Sequence, residues 1–133
     1  MGDNDRTLRQ GLLANAIFSS LCGLSMVLAA PTLAAWAGLP GPLPLWILGP
    51  GLLLFAADLL HQASRPQISR SRALTTTLAD LGWVVGSAAL LLGWPELLNG
   101  AGRIAVIVVA VVVADCALWQ GLGLRRLAAS PAV

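Results

Sequence analysis

The chain contains no lysine, no tyrosine, one histidine and two cysteines among its 133 residues. Each shortage excludes something. With a single histidine, His61, no haem can be held between a pair of imidazoles. No cysteine–histidine cluster offers the spacing of a zinc site. Cys22 and Cys116 lie far apart inside apolar stretches, so they form neither a CxxC redox motif nor a secreted disulfide framework and read as small packing residues. No Ser–His–Asp constellation or glycine-rich phosphate loop is present. The G-L-G at 121–123 lacks the strand and the spacing of a dinucleotide fingerprint. The expectation is a protein that is not an enzyme and carries no cofactor or metal.

Charge is the other shortage. Charged residues make up 11% of the chain, against about 25% in soluble domains, while 57% are hydrophobic and the mean hydropathy is +0.81. A helix crossing a bilayer needs about 20 apolar residues, since the hydrocarbon layer is roughly 30 Å thick and each residue rises about 1.5 Å. Four windows meet that requirement: Gly11–Ala30, Leu45–Ala63, Leu74–Trp94 and Ile104–Leu124. Residues 1–10 and 125–133 are left as short tails, with 11–124 as one membrane domain whose partner is the lipid bilayer. The fold class expected is all-α, a four-transmembrane-helix up-down-up-down bundle.

All eight basic residues are arginines. Arg6 and Arg9 precede the first span, Arg65, Arg70 and Arg72 separate the second from the third, and Arg125 and Arg126 follow the fourth. Arg103 alone falls on the other side. This bias predicts a cytoplasmic location for both termini in a multi-pass protein of the cell (inner) membrane. It also accounts for the net charge of +2 without a nucleic-acid partner. The first span is expected to remain attached, because "MVLAAPTLAAWAG" offers only a weak small-residue cleavage site. Trp36, Trp46 and Trp94 fall at the outer span ends and Trp119 near the inner end of the fourth, as an aromatic belt requires. Trp83 lies well inside the third span. Pro50 is expected to kink the second span or delay its start.

The two external connections share a pattern, P-x-L-x-x-x-A-G, at Pro31, Leu33, Ala37 and Gly38 and again at Pro95, Leu97, Ala101 and Gly102. "AAD" at 56–58 corresponds to "VAD" at 113–115, and Asn15 and Phe18 correspond to Asp80 and Trp83. These matches suggest two tandem helical hairpins, 11–63 and 76–123, related by a pseudo-two-fold axis along the membrane normal.

Each span holds one strongly polar residue: Asn15, Asp58, Asp80 and Asp115. They lie six to ten residues from the nearest inner arginine, at depths of roughly 9–15 Å, in one slab of the inner leaflet. A central aspartate costs about 2.5–3.5 kcal/mol to insert, so the four are expected to face the bundle interior and converge. Close carboxylates in a dry site cannot all ionise and would share protons. Helical spacing adds an accessory polar face of His61 and Gln62 on the second span and Trp83 and Ser87 on the third. Two readings follow. In one, the layer binds or passes protons or cations. In the other, the chain is a structural or accessory subunit and the layer is interhelical glue. The apolar outer half of so short a chain implies that a transport path would need a homodimer or a partner membrane subunit.

N-A-x-F-S at 15–19, G-L-L-L-F-A at 51–56 and D-L-x-W-V-x-G-S at 80–87 resemble small four-helix integral membrane proteins of bacteria. The resemblance implies the four-helix fold and brings no activity with it.

Overall fold

The computed structural model describes residues 3–129. Its helices are α1 (Asp3–Leu28), α2 (Ala30–Ala37), α3 (Leu43–Ser64), α4 (Arg70–Gly93) and α5 (Gly100–Ala129), with a 3-10 turn at Pro95–Leu97. There is no strand among the described residues. The protein is an all-α four-helix bundle, and α1, α3, α4 and α5 are each long and apolar enough to cross a membrane.

The helices overrun the apolar windows. α1 begins at Asp3, within the expected N-terminal tail, and α5 runs on to Ala129. Hydropathy locates only the part of a helix that suits lipid. Helical hydrogen bonding continues until the backbone finds a better partner. Residues 1–2 and 130–133 of the expected tails lie outside the described residues.

The break between α1 and α2 has a local cause. Pro31 has no N–H and crowds the preceding turn, so the ladder cannot pass through it unchanged. Ala29 leaves helical geometry at φ −126°, and Pro31 stands in the first turn of α2, where its missing donor costs nothing. Gly38 then ends α2 in the left-handed conformation at φ +83°. Pro50 acts differently: α3 continues through it and starts at Leu43.

α1 is the centre of the assembly. It packs along α3 on one side and α5 on the other, and α5 packs along α4. α3 and α4, although joined by a short loop, barely touch. The close approach of α1 and α3 depends on two glycines. A Cβ on Gly23 would stand 2.9 Å from the Gly49 carbonyl oxygen, and a Cβ on Gly49 would stand 2.9 Å from Val27.

The bundle has an arginine end, which holds the start of α1, the α3–α4 loop and the last turn of α5, and a far end. A hydrophobic core sits near the arginine end, built around Leu8, Leu12, Leu59, Ala73 and Leu124. Arg9 closes it by donating to the carbonyls of Ala63 and Arg65, which end α3, and by pairing with Asp5 at 3.2 Å. At the far end Asn99 joins the two halves of the chain. Its Nδ2 donates to the Trp36 carbonyl at 2.8 Å and its backbone N–H to the Ala37 carbonyl at 2.9 Å. Its Oδ1 accepts from the N–H of Gly102 and so caps α5.

The matched loop residues take different conformations. Gly38 is a left-handed helix terminator, whereas Gly102 lies inside the first turn of α5. Trp36, Trp46, Trp94 and Trp119 are exposed toward the ends of the bundle, and Trp83 is half-buried within it.

Candidate functional site

The polar side chains form two separate networks, one beyond the core on the side away from the arginine end and one at that end. The first is centred on Asp80, which is 3% exposed. Asn15 Nδ2 donates to Asp80 Oδ2 at 2.7 Å, and Gln120 Nε2 donates to the same oxygen at 3.1 Å. Both amides are oriented from behind. Ser19 Oγ donates to Asn15 Oδ1 at 3.1 Å, and Thr77 Oγ1 lies 3.2 Å from Gln120 Oε1. The network draws on α1, α4 and α5. Asn15 and Gln120 are essentially fully buried, so their amides can be satisfied only inside the bundle.

The second network joins α3 to α4 at the arginine end. Gln62 Nε2 donates to Asp58 Oδ2 at 2.7 Å and to Thr76 Oγ1 at 3.0 Å. Asp58 Oδ1 pairs with Arg72. Both side chains of that ion pair are more than two-fifths exposed, so the pair adds little to stability.

The four expected corners therefore do not all converge. Asn15 and Asp80 meet. Asp58 belongs to the second network, and no hydrogen bond connects it to the first among the described residues. Asp115 departs from the expectation altogether. It is exposed, on the same outward face of α5 as Val111 and Leu118, and makes no ion pair or hydrogen bond to a described residue. The cause is azimuth. The inward stripe of α5 runs Val113, Cys116, Ala117, Gln120 and Leu124, at spacings of one helical turn. Asp115 is five residues from Gln120, which turns it well away from that stripe.

Gln120 is the member of the Asp80 network that depth alone misses. Its signal was present, because it continues the helical spacing of the small residues Cys116 and Ala117, and small residues mark the packed face of a membrane helix. The accessory residues also divide. His61 is exposed, Gln62 is buried, Trp83 is half-buried and Ser87 is buried. His61 and Gln62 line a pocket of about 310 Å³ at the arginine end, together with Arg65 and Arg72.

Asp80 also lines a partly open cavity of about 150 Å³ that extends toward the far end. All four long helices contribute. Phe18, Ser19, Cys22 and Met26 come from α1, Leu52 and Phe55 from α3, Ala79, Asp80 and Trp83 from α4, and Val109 and Val113 from α5. Its walls are mainly apolar, and Asp80 is the only ionised-type side chain besides the cysteine thiol among them.

The two oxygens of Asp80 differ. Oδ2 takes both amide donors, while Oδ1 takes none from a described residue. The sealed side-chain polar atoms without a partner are Gln62 Oε1 and Trp83 Nε1. Oδ1 is absent from that pair, so it is open to space rather than enclosed. A proton on Asp80 would sit on Oδ1, because Oδ2 is already committed as an acceptor to two N–H groups. No three histidine, cysteine, aspartate or glutamate side chains cluster as metal ligands among the described residues.

Comparison with protein families, with curated proteins and with solved structures finds no match for this chain.

Proposed function

We propose that this is a non-enzymatic multi-pass protein of the cell membrane in which Asp80 binds a proton or a cation in exchange. The arginine bias supports placing both termini in the cytoplasm. One observation carries the functional reading: Asp80 commits Oδ2 to two buried amides and leaves Oδ1 unpartnered beside a cavity. When the carboxylate is ionised, Oδ1 lacks a donor. When it is protonated, Oδ1–H lacks an acceptor. In both states its partner, a water included, comes from the cavity, where a proton and a cation would compete for the same oxygen. An intramembrane carboxylate is a functional candidate on energetic grounds as well.

A second reading has its own support. The Asn15–Asp80–Gln120 network ties three helices together, which is how a structural subunit would use polar glue. Asp80→Asn separates the two. Asparagine keeps an oxygen for both amides and cannot ionise. Difference infrared spectroscopy of the purified protein would follow the carboxyl band as pH and added cations, inorganic or organic, are varied. Exchange requires a band that responds to both and vanishes in the variant while the fold persists. A wild-type protein with no responsive band attributable to Asp80 leaves the network as glue.

Two further features bear on assembly and origin. Ala79, Gly82, Gly86 and Ala89 form an exposed face of α4 without bulky side chains, which supports contact with a second copy or a partner subunit. The P-x-L-x-x-x-A-G pattern shared by the two connections at the far end supports a duplicated hairpin.

A further inference from the structure

From the chemistry of the Asp80 cavity we infer that its ligand is a compact organic cation, an ammonium carrying small alkyl or aromatic groups. The inference rests on Asp80 being the exchange site proposed above. A hydrated inorganic ion would need several oxygen ligands in place of its water. Besides Asp80 the cavity offers the Ser19 hydroxyl and the Cys22 thiol, and otherwise side chains such as Phe18, Phe55, Trp83 and Met26. Those walls cannot replace a hydration shell. An alkylammonium brings its own apolar surface, has little hydration to lose, and is attracted both to a carboxylate and to aromatic rings. The size agrees, since an apolar cavity of about 150 Å³ accepts a benzene-sized ring.

The route of entry follows from the packing. α3 and α4 barely touch, and the hydrogen bonds between them are confined to the arginine end. Leu52 and Phe55 line the cavity from one side of that seam, and Ala79 and Trp83 from the other. Ala79 is itself exposed. A cation whose alkyl or aromatic groups hold it in the lipid interface would therefore enter sideways between α3 and α4. It would need no aqueous channel through the apolar far half.

The test uses the full-length protein in lipid nanodiscs with two probes of matched shape. Tetramethylammonium is the cation and neopentane its neutral isostere. Calorimetry reports binding, and so does the fluorescence of a variant that keeps Trp83 as its one tryptophan. The cation should bind one per chain and at least about tenfold more tightly than the isostere, the product of one ion pair and its ring contacts. Asp80→Asn should remove the preference and leave isostere binding in place. Val109→Phe, which fills the cavity and retains the carboxylate, should weaken both probes while the Asp80 infrared band persists. Equal binding of the two probes overturns the inference, as does a preference that survives Asp80→Asn. If neither probe binds while the Asp80 band still responds to pH and inorganic cations, the ligand class is wrong and the exchange reading stands. If the band is silent too, both fail.

Discussion

Replacing Gly23 by alanine should damage the bundle, although alanine is the better helix former. A Cβ at this position meets the Gly49 carbonyl oxygen at 2.9 Å and Leu53 Cγ and Cδ2 at 3.0 and 3.1 Å. Leu53 can change rotamer. The carbonyl belongs to the α3 backbone and can give way only if α3 moves. Forcing a methyl group into a packed contact of this kind costs about 1–3 kcal/mol. Helix propensity returns about 1 kcal/mol, so the expected net loss is about 0–2 kcal/mol. Gly121→Ala isolates the propensity term. It lies inside α5, and a Cβ there meets nothing within 4 Å. That variant should gain up to about 1 kcal/mol. Reversible unfolding in mixed micelles, with both variants measured alongside the wild type, gives the difference of about 1–3 kcal/mol that the steric term alone should produce. A Gly23→Ala protein as stable as Gly121→Ala would refute the close approach of α1 and α3.

Two other outcomes can be stated briefly. Asp115→Leu should leave the Asp80 site intact and hold or raise stability, because the exposed carboxylate has no partner among the described residues and inserting one near the bilayer centre costs about 2.5–3.5 kcal/mol; a large loss in the same unfolding assay would mean that Asp115 faces protein. In a cysteine-free background, Pro40→Cys should react with an impermeant thiol reagent added outside intact cells and Asp3→Cys should not; the reverse pattern would overturn the orientation inferred from the arginines.

Much of the bundle was legible from composition because length and hydropathy act over whole segments. Four apolar windows became four long helices, and the displaced helix ends lie where hydropathy has nothing to measure. Asn15 and Asp80 were legible as partners because burying two polar groups at one depth leaves each in need of the other. Depth, however, is one coordinate of a cylinder. Asp115 has the depth of the layer and the wrong azimuth, while Gln120 has the right azimuth and lies five residues nearer the arginine end. The weak contact between α3 and α4 was not legible at all. A short loop predicts neighbouring helices but not how closely they lie. The α2 helix was hidden for another reason: its eight residues read as a proline- and glycine-rich connection until the Ala29 break is placed.

The Asn99 clamp imposes an order on biogenesis. Its two acceptors, the carbonyls of Trp36 and Ala37, are synthesised after the first long helix, whereas Asn99 itself emerges only after the third. During insertion those carbonyls must be served by water or lipid head groups until α4 has threaded the bilayer and delivered the amide to the far end. The same residue then starts α5, since its Oδ1 holds the Gly102 N–H. Closure of the far end and initiation of the last crossing are thus one event, timed by the passage of the helix that carries Asp80.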